Sequence, residues 1–135
     1  MSLIEWDDSY SVKIREIDGQ HMRLLEIIND LYEAMRAGKA NDVLAGLFGD
    51  LVDYTQTHFA TEEGYLERYG YPDVRMHQLQ HDVFIDKILA LRKDFESGRA
   101  DVSTEIMTFL QDWLFRHIKG TDMKYVPFLT GKGMR

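Results

Sequence analysis

The chain has 135 residues, 44% of them hydrophobic and 29% charged, with a formal net charge of −7 and no cysteine. That size and balance suit a single globular domain with one core and exclude a disordered chain. The acidity argues against nucleic acid or an anionic membrane as partner, and the lack of cysteine excludes disulfides, thiolate ligands and cysteine-held iron–sulfur clusters.

Any metal site must therefore be built from His with Asp or Glu. No apolar run approaches the roughly 18 residues needed to span a bilayer. The start, Met1-Ser2-Leu3-Ile4-Glu5-Trp6-Asp7-Asp8, lacks the basic and apolar parts of a signal peptide, so a cytoplasmic location is expected.

Residues 1–17 carry no clear amphipathic pattern. Trp6, Tyr10, Val12, Ile14 and Ile17 predict an extended arm laid across the helices, with Asp18 as the N-cap of the first. That helix is expected over about 19–37, with a stripe of His21, Leu24, Leu25, Ile28, Leu31, Tyr32 and Met35. A second helix is expected over about 42–69. In it His58 and Glu62 stand four residues apart, continuing the stripe of Leu44, Leu47, Leu51 and Thr55.

Tyr69-Gly70-Tyr71-Pro72 reads as a helix stop followed by a helix start, folding the next segment back antiparallel. The third helix, about 73–97, aligns His77 and His81 with Phe84, Ile88, Leu91 and Phe95. The fourth, about 102–122, carries Ile106, Leu110, Trp113 and His117 on its inner face, and the chain from Tyr125 to Phe128 is expected to leave the helix, with 131–135 fraying. No strand alternation or linker interrupts the pattern. The fold class is all-α, an antiparallel up-down-up-down four-helix bundle with an N-terminal extended arm, in one domain of residues 1–135.

That topology sends odd helices one way and even helices the other. All five histidines and Glu62 then fall on inner faces toward the same end of the bundle. Each has a plain account when taken singly. A lone buried His is more often a hydrogen-bonded core residue, and His117 could serve only as a cation at a helix C-terminus. The Glu62-Glu63 doublet reads as one inward residue and one solvated one, with Glu63 outward. Together the plain accounts require five coincidences at one level of one core, where unpaired charges are costly. Asp122 follows His117 by five residues, about 140° apart on an ideal helix. It can face the same spot only through a π-type turn or an unwinding, with Gly120 the residue most able to allow one.

The set Ile17-Asp18-Gly19-Gln20-His21, His58-Phe59-Ala60-Thr61-Glu62-Glu63, His77-x-x-x-His81 and Trp113-Leu114-Phe115-Arg116-His117-Ile118 with Asp122 resembles the hemerythrins, in particular their single-domain bacterial type. The resemblance covers nearly the whole chain. It implies two non-haem iron ions with an oxo or hydroxo bridge. His77, His81 and His117 would hold one iron, His21 and His58 the other, and Glu62 and Asp122 would bridge them. The second iron is then one ligand short, which implies O2 as its ligand. Phe59, Trp113, Leu114 and Ile118 match apolar residues that line the O2 pocket in that family; as a bare pattern they read as plain core.

The function expected is reversible dioxygen binding for storage, delivery or sensing, with an oxygen-requiring enzyme as a possible recipient. The protein is expected not to be an enzyme, and to be a monomer, since no strong heptad demands association. A di-iron oxidase or peroxidase and a nitric-oxide-binding sensor remain alternatives on the same site. A metal-free helical interaction module leaves the inward Glu62 and Asp122 without a role.

Overall fold

Four amphipathic segments pair their apolar stripes: α1 (Arg15–Arg36), α2 (Ala40–Arg68), α3 (Val74–Glu96) and α4 (Val102–Trp113). The computed structural model describes residues 3–135, so Met1 and Ser2 of the expected arm lie outside the described residues. α1 packs on α2 and α4, and α3 on α2 and α4, giving the antiparallel up-down-up-down ring. Among the described residues there is no strand, and no helix is long and apolar enough to cross a membrane.

The turns explain the handover between helices. At the α2–α3 turn the Gly70 N–H donates to Glu67 O (3.2 Å) and the Tyr71 N–H to Leu66 O (2.9 Å), the paired bonds of a Schellman cap. The same pair recurs after α1 and after α3. Gly70 sits at φ 74°, in the left-handed region. This one turn sets His58 and Glu62 beside His77 and His81.

The N-terminus departs from expectation. α1 begins at Arg15, not Gly19, and its N-cap is Ile14, which contributes no side-chain bond. Asp18 is therefore inside the first turn. Its carboxylate accepts from the Val12 N–H (2.8 Å) and the Ser11 hydroxyl (2.6 Å), tying the arm back onto the helix. The arm itself contains a short 3-10 turn, Asp8–Tyr10. The Lys119 ammonium lies 4.6 Å from the Tyr10 ring centroid, which fixes the arm against the far end of the chain.

That far end also differs. After α4 come a π-helical stretch, Leu114–Thr121, a 3-10 turn, Asp122–Tyr125, and a short α5, Val126–Gly131. Where the tail was expected to leave the helix it stays helical, with Pro127 in the first turn of α5, the place where a missing N–H costs nothing.

Two apolar layers result. The larger holds Leu24, Ile28, Leu51, Phe84, Ile106 and Leu110 among others, and includes Phe59, Trp113, Leu114 and Ile118. The smaller joins Val12, Ile14 and Ile17 of the N-terminus to Leu66, Tyr71, Tyr125 and Leu129.

A Cβ added at Gly70 would meet nothing within 4 Å, so Gly70→Ala tests backbone conformation alone. It should destabilise the protein by about 1–2 kcal/mol, the cost of an L-residue at positive φ. Urea unfolding should show this as a lower midpoint at unchanged slope.

Candidate metal centre

Between the two apolar layers lies a polar one. Along α2 the order is Phe59, Glu62, Leu66; from the turn before α3 into that helix it is Tyr71, His77, His81, Phe84. Each helix passes from one layer to the other through its donor residues. His21, His58, Glu62, His77, His81, His117 and Asp122 are all at most 3% exposed.

His117 and Asp122 share a face because the backbone between them is π-helical. The Asp122 N–H donates to His117 O, a five-residue step that replaces the usual four. Gly120 is not at positive φ and a Cβ there would meet nothing, so the widened turn does not depend on glycine.

The carboxylates are split between two sets of imidazoles. Glu62 Oε1 lies 2.7 Å from His77 Nε2 and 3.0 Å from His81 Nε2. Its other oxygen, Oε2, lies 3.6 Å from His58 Nε2 and 3.8 Å from His21 Nε2. Asp122 Oδ1 stands 3.0 Å from both His77 Nε2 and His117 Nε2, while Oδ2 is 3.2 Å from His21 Nε2. Two donor groups follow, each with its atoms within 4.8 Å: Glu62, His77, His81, His117 and Asp122, and His21, His58, Glu62 and Asp122.

Several of these contacts are close without being hydrogen bonds. His81 Nε2, His117 Nε2 and both Asp122 oxygens have no hydrogen-bond partner, although nitrogen and oxygen approach to 3.0 Å. The distances are those of a bond but the angles are not. Lone pairs aimed past one another at a shared point are what cation ligands present. Nitrogen and oxygen donors without sulfur suit iron and other first-row metals, so these residues fit a pair of such ions.

The outer ring nitrogens are held from outside. His58 Nδ1–H donates to Gln20 Oε1, His81 Nδ1–H to Glu63 Oε2 and His117 Nδ1–H to Gln80 Oε1, each at 2.7 Å. With the proton placed outward, Nε2 is bare and faces the centre. Glu63 therefore does not face solvent freely, as expected from the doublet; it is drawn to the α3 histidine. Tyr125, which sequence reasoning also passed over, donates its hydroxyl to Glu62 Oε2 at 2.7 Å. One signal is visible in hindsight: Gln20, Glu63 and Gln80 each adjoin an inward donor in sequence and reach the histidine of the next helix.

Rings close the space. Phe59 stacks on His81 at 3.7 Å and 4°, Trp113 on His117 at 3.9 Å and 11°. A surface cleft of about 920 Å3 between Lys87, Arg99 and Asp112 involves none of the seven donors. A smaller one of about 330 Å3 reaches Gln20, Tyr54 and His58 at the edge of the two-histidine group.

Electrostatics divides the histidines. Burial pushes the His58 imidazole down to about 3, outweighing the attraction of Glu62. Burial also opposes charge on His77, but the Asp122 and Glu62 carboxylates, 3.0 and 2.7 Å from its Nε2, overcome it and raise that imidazole to about 10. The difference is contact: His77 touches both carboxylates, His58 neither at bonding distance. Burial works against the charged forms of Glu62 and Asp122 too, yet the surrounding histidines hold both carboxyls well below the ordinary range.

His77 thus carries a proton at pH 7 without metal, and a metal must displace it to use Nε2. Adding metal to the metal-free protein at pH 7 in weak buffer should release protons, read with a pH electrode. Apparent affinity should rise with pH through the neutral range, about tenfold per pH unit for each proton displaced.

Comparison with known proteins agrees with this arrangement. The hemerythrin HHE cation binding domain matches residues 12–129. Bacteriohemerythrins of Stenotrophomonas maltophilia (strain R551-3) and Pseudomonas aeruginosa (strain LESB58) are 38% and 40% identical, over 93% of this chain and 80% and 81% of theirs. That of Methylococcus capsulatus (strain Bath) is 30% identical over 96% of this chain and 99% of its own. A crystal structure of wild-type hemerythrin matches with a TM-score of 0.85 at 28% identity, covering 96% of this chain and 99% of that one. The matched span runs from Val12 to Leu129, the two ends of the smaller apolar layer, and encloses all seven donors. The chain belongs to the hemerythrin family of HHE cation binding domains.

Proposed function

We propose that this protein binds dioxygen reversibly at a non-haem di-iron centre, for storage, delivery or sensing. His77, His81 and His117 would hold one iron, His21 and His58 the other, and Glu62 and Asp122 would serve both. One observation carries the reading: each buried carboxylate offers one oxygen to the three-histidine set and the other to the two-histidine set. The unequal count would leave the two-histidine position with one protein donor fewer, and that is where O2 would bind.

The bound irons supply the electrons that make dioxygen a ligand. The protein's part is to hold and to exclude. Gln20, Glu63 and Gln80 keep three Nδ1 protons outward, so three Nε2 lone pairs stay inward. The Tyr125 hydroxyl fixes the carboxylate plane of Glu62 from the two-histidine side. Phe59, Trp113, Leu114 and Ile118, all buried in the larger apolar layer, keep water from the centre. Excluding water would protect the oxygen-binding chemistry that the ions would supply. Five imidazoles against two carboxylates favour a carrier over a turnover enzyme, because bundle di-iron oxidases use glutamate-rich sites.

Loaded with ferrous iron under nitrogen, the protein should hold two irons per chain. Oxygen should develop a visible charge-transfer band that vanishes on deoxygenation through repeated cycles. An irreversible band, or steady oxygen consumption, would overturn the carrier reading in favour of an oxidase.

Leu114→Ala should open the water barrier and speed autoxidation several-fold at unchanged iron content, followed in the same band. As Leu114 is 4% exposed, the variant should also lose about 2–5 kcal/mol of stability in thermal melts.

A further inference from the structure

The three outer bonds form a directed series around the bundle. Gln20 of α1 serves His58 of α2, Glu63 of α2 serves His81 of α3, and Gln80 of α3 serves His117 beyond α4. The fourth step, from the last helix back to α1, is missing: among the described residues, His21 Nδ1 is buried without a partner. The acceptors also differ in charge. His58 and His117 donate to neutral amides, and His81 donates to a carboxylate. Among these outer partners the negative charge falls on one side only, behind the three-histidine group.

We propose that Glu63, acting through His81, makes the two metal positions chemically unequal, strengthening metal binding at the three-histidine position and favouring its higher oxidation state. This rests on the di-iron reading above. A carboxylate accepting the Nδ1 proton pulls that proton outward and pushes electron density toward Nε2, making the imidazole a stronger donor. The bond is charge-assisted, about twice the strength of its amide counterparts. Its acceptor is partly sheltered, with the Glu63 side chain 28% exposed, so water weakens the effect without abolishing it. Phe59, stacked at 3.7 Å on the His81 ring, keeps the ring from turning away. Glu63 is a positioning residue, not a ligand: its oxygen meets Nδ1, the nitrogen that faces away from the centre.

The test uses the full-length chain, ferrous iron as probe, and three variants. Glu63→Gln keeps an acceptor and removes the charge. Glu63→Ala removes both. Glu67→Gln, one turn along α2 and exposed, removes the same charge while keeping an acceptor for the Gln78 amide, and so controls for net charge. Chelator competition under nitrogen should show the tight class of iron weakened by about 10- to 100-fold in Glu63→Ala. Glu63→Gln should keep most of that affinity. In a fixed redox buffer its ferric-to-ferrous ratio should shift about tenfold toward ferrous, the excess of a charge-assisted bond over a neutral one. Glu67→Gln should match the wild type in both. If Glu63→Gln shows the same redox ratio as Glu67→Gln, or Glu63→Ala binds iron as tightly as the wild type, the proposal falls while the di-iron reading stands. A wild-type chain that fails to take up two irons would instead overturn the reading beneath it.

Discussion

Seven ionisable side chains share one interior layer from which water is almost entirely removed, and the protein is arranged around that fact. Two carboxylates at zero exposure in a dry core cost far more than a few neutral hydrogen bonds return. The surrounding imidazoles answer part of the cost, and His77 does so by taking a proton. Protonation is a poor answer, because the same nitrogens lie too close together for several to be charged at once; His21 and His58 Nε2 are 3.0 Å apart. A pair of multivalent cations satisfies both carboxylates and all five imidazoles together. The rest of the structure follows from keeping that layer intact: an apolar floor and ceiling, stacked rings at its sides, and outer acceptors that stop the histidines from rotating.

Much of this is legible in the residues because helical geometry is periodic. His58 and Glu62, like His77 and His81, sit on stripes whose other members are leucine, isoleucine and phenylalanine, and a stripe of that kind has one side to face. Helix direction then sets the level. The Schellman turn at Gly70 is announced by its own glycine and the proline that follows. The four-helix architecture needs nothing more.

What the stripes leave out are contacts made at their edges. Glu63 is one position from an inward residue, about 100° around the helix. From α2 alone it looks solvated, and only the neighbouring α3 shows that it ends against His81. Gln20 and Gln80 are hidden for the same reason. The start of α1 is hidden by a different one: Asp18 has the chemistry of a cap, but its carboxylate bonds backward to the Val12 N–H, and hydrophobic burial of Ile14 and Ile17 sets the boundary earlier. The widened turn after Trp113 is demanded by the spacing of His117 and Asp122. Its cause is tertiary, since Gly120 adopts no special conformation.

The smaller apolar layer, in which Val12 and Ile17 meet Tyr125 and Leu129, carries a consequence for biogenesis. His21 emerges in synthesis well before Asp122, yet they end 3.2 Å apart. A growing polypeptide therefore offers scattered imidazoles but no finished donor layer until the segment carrying Asp122 and Tyr125 has emerged and docked. A fragment truncated before that segment lacks the carboxylate that reaches both histidine groups.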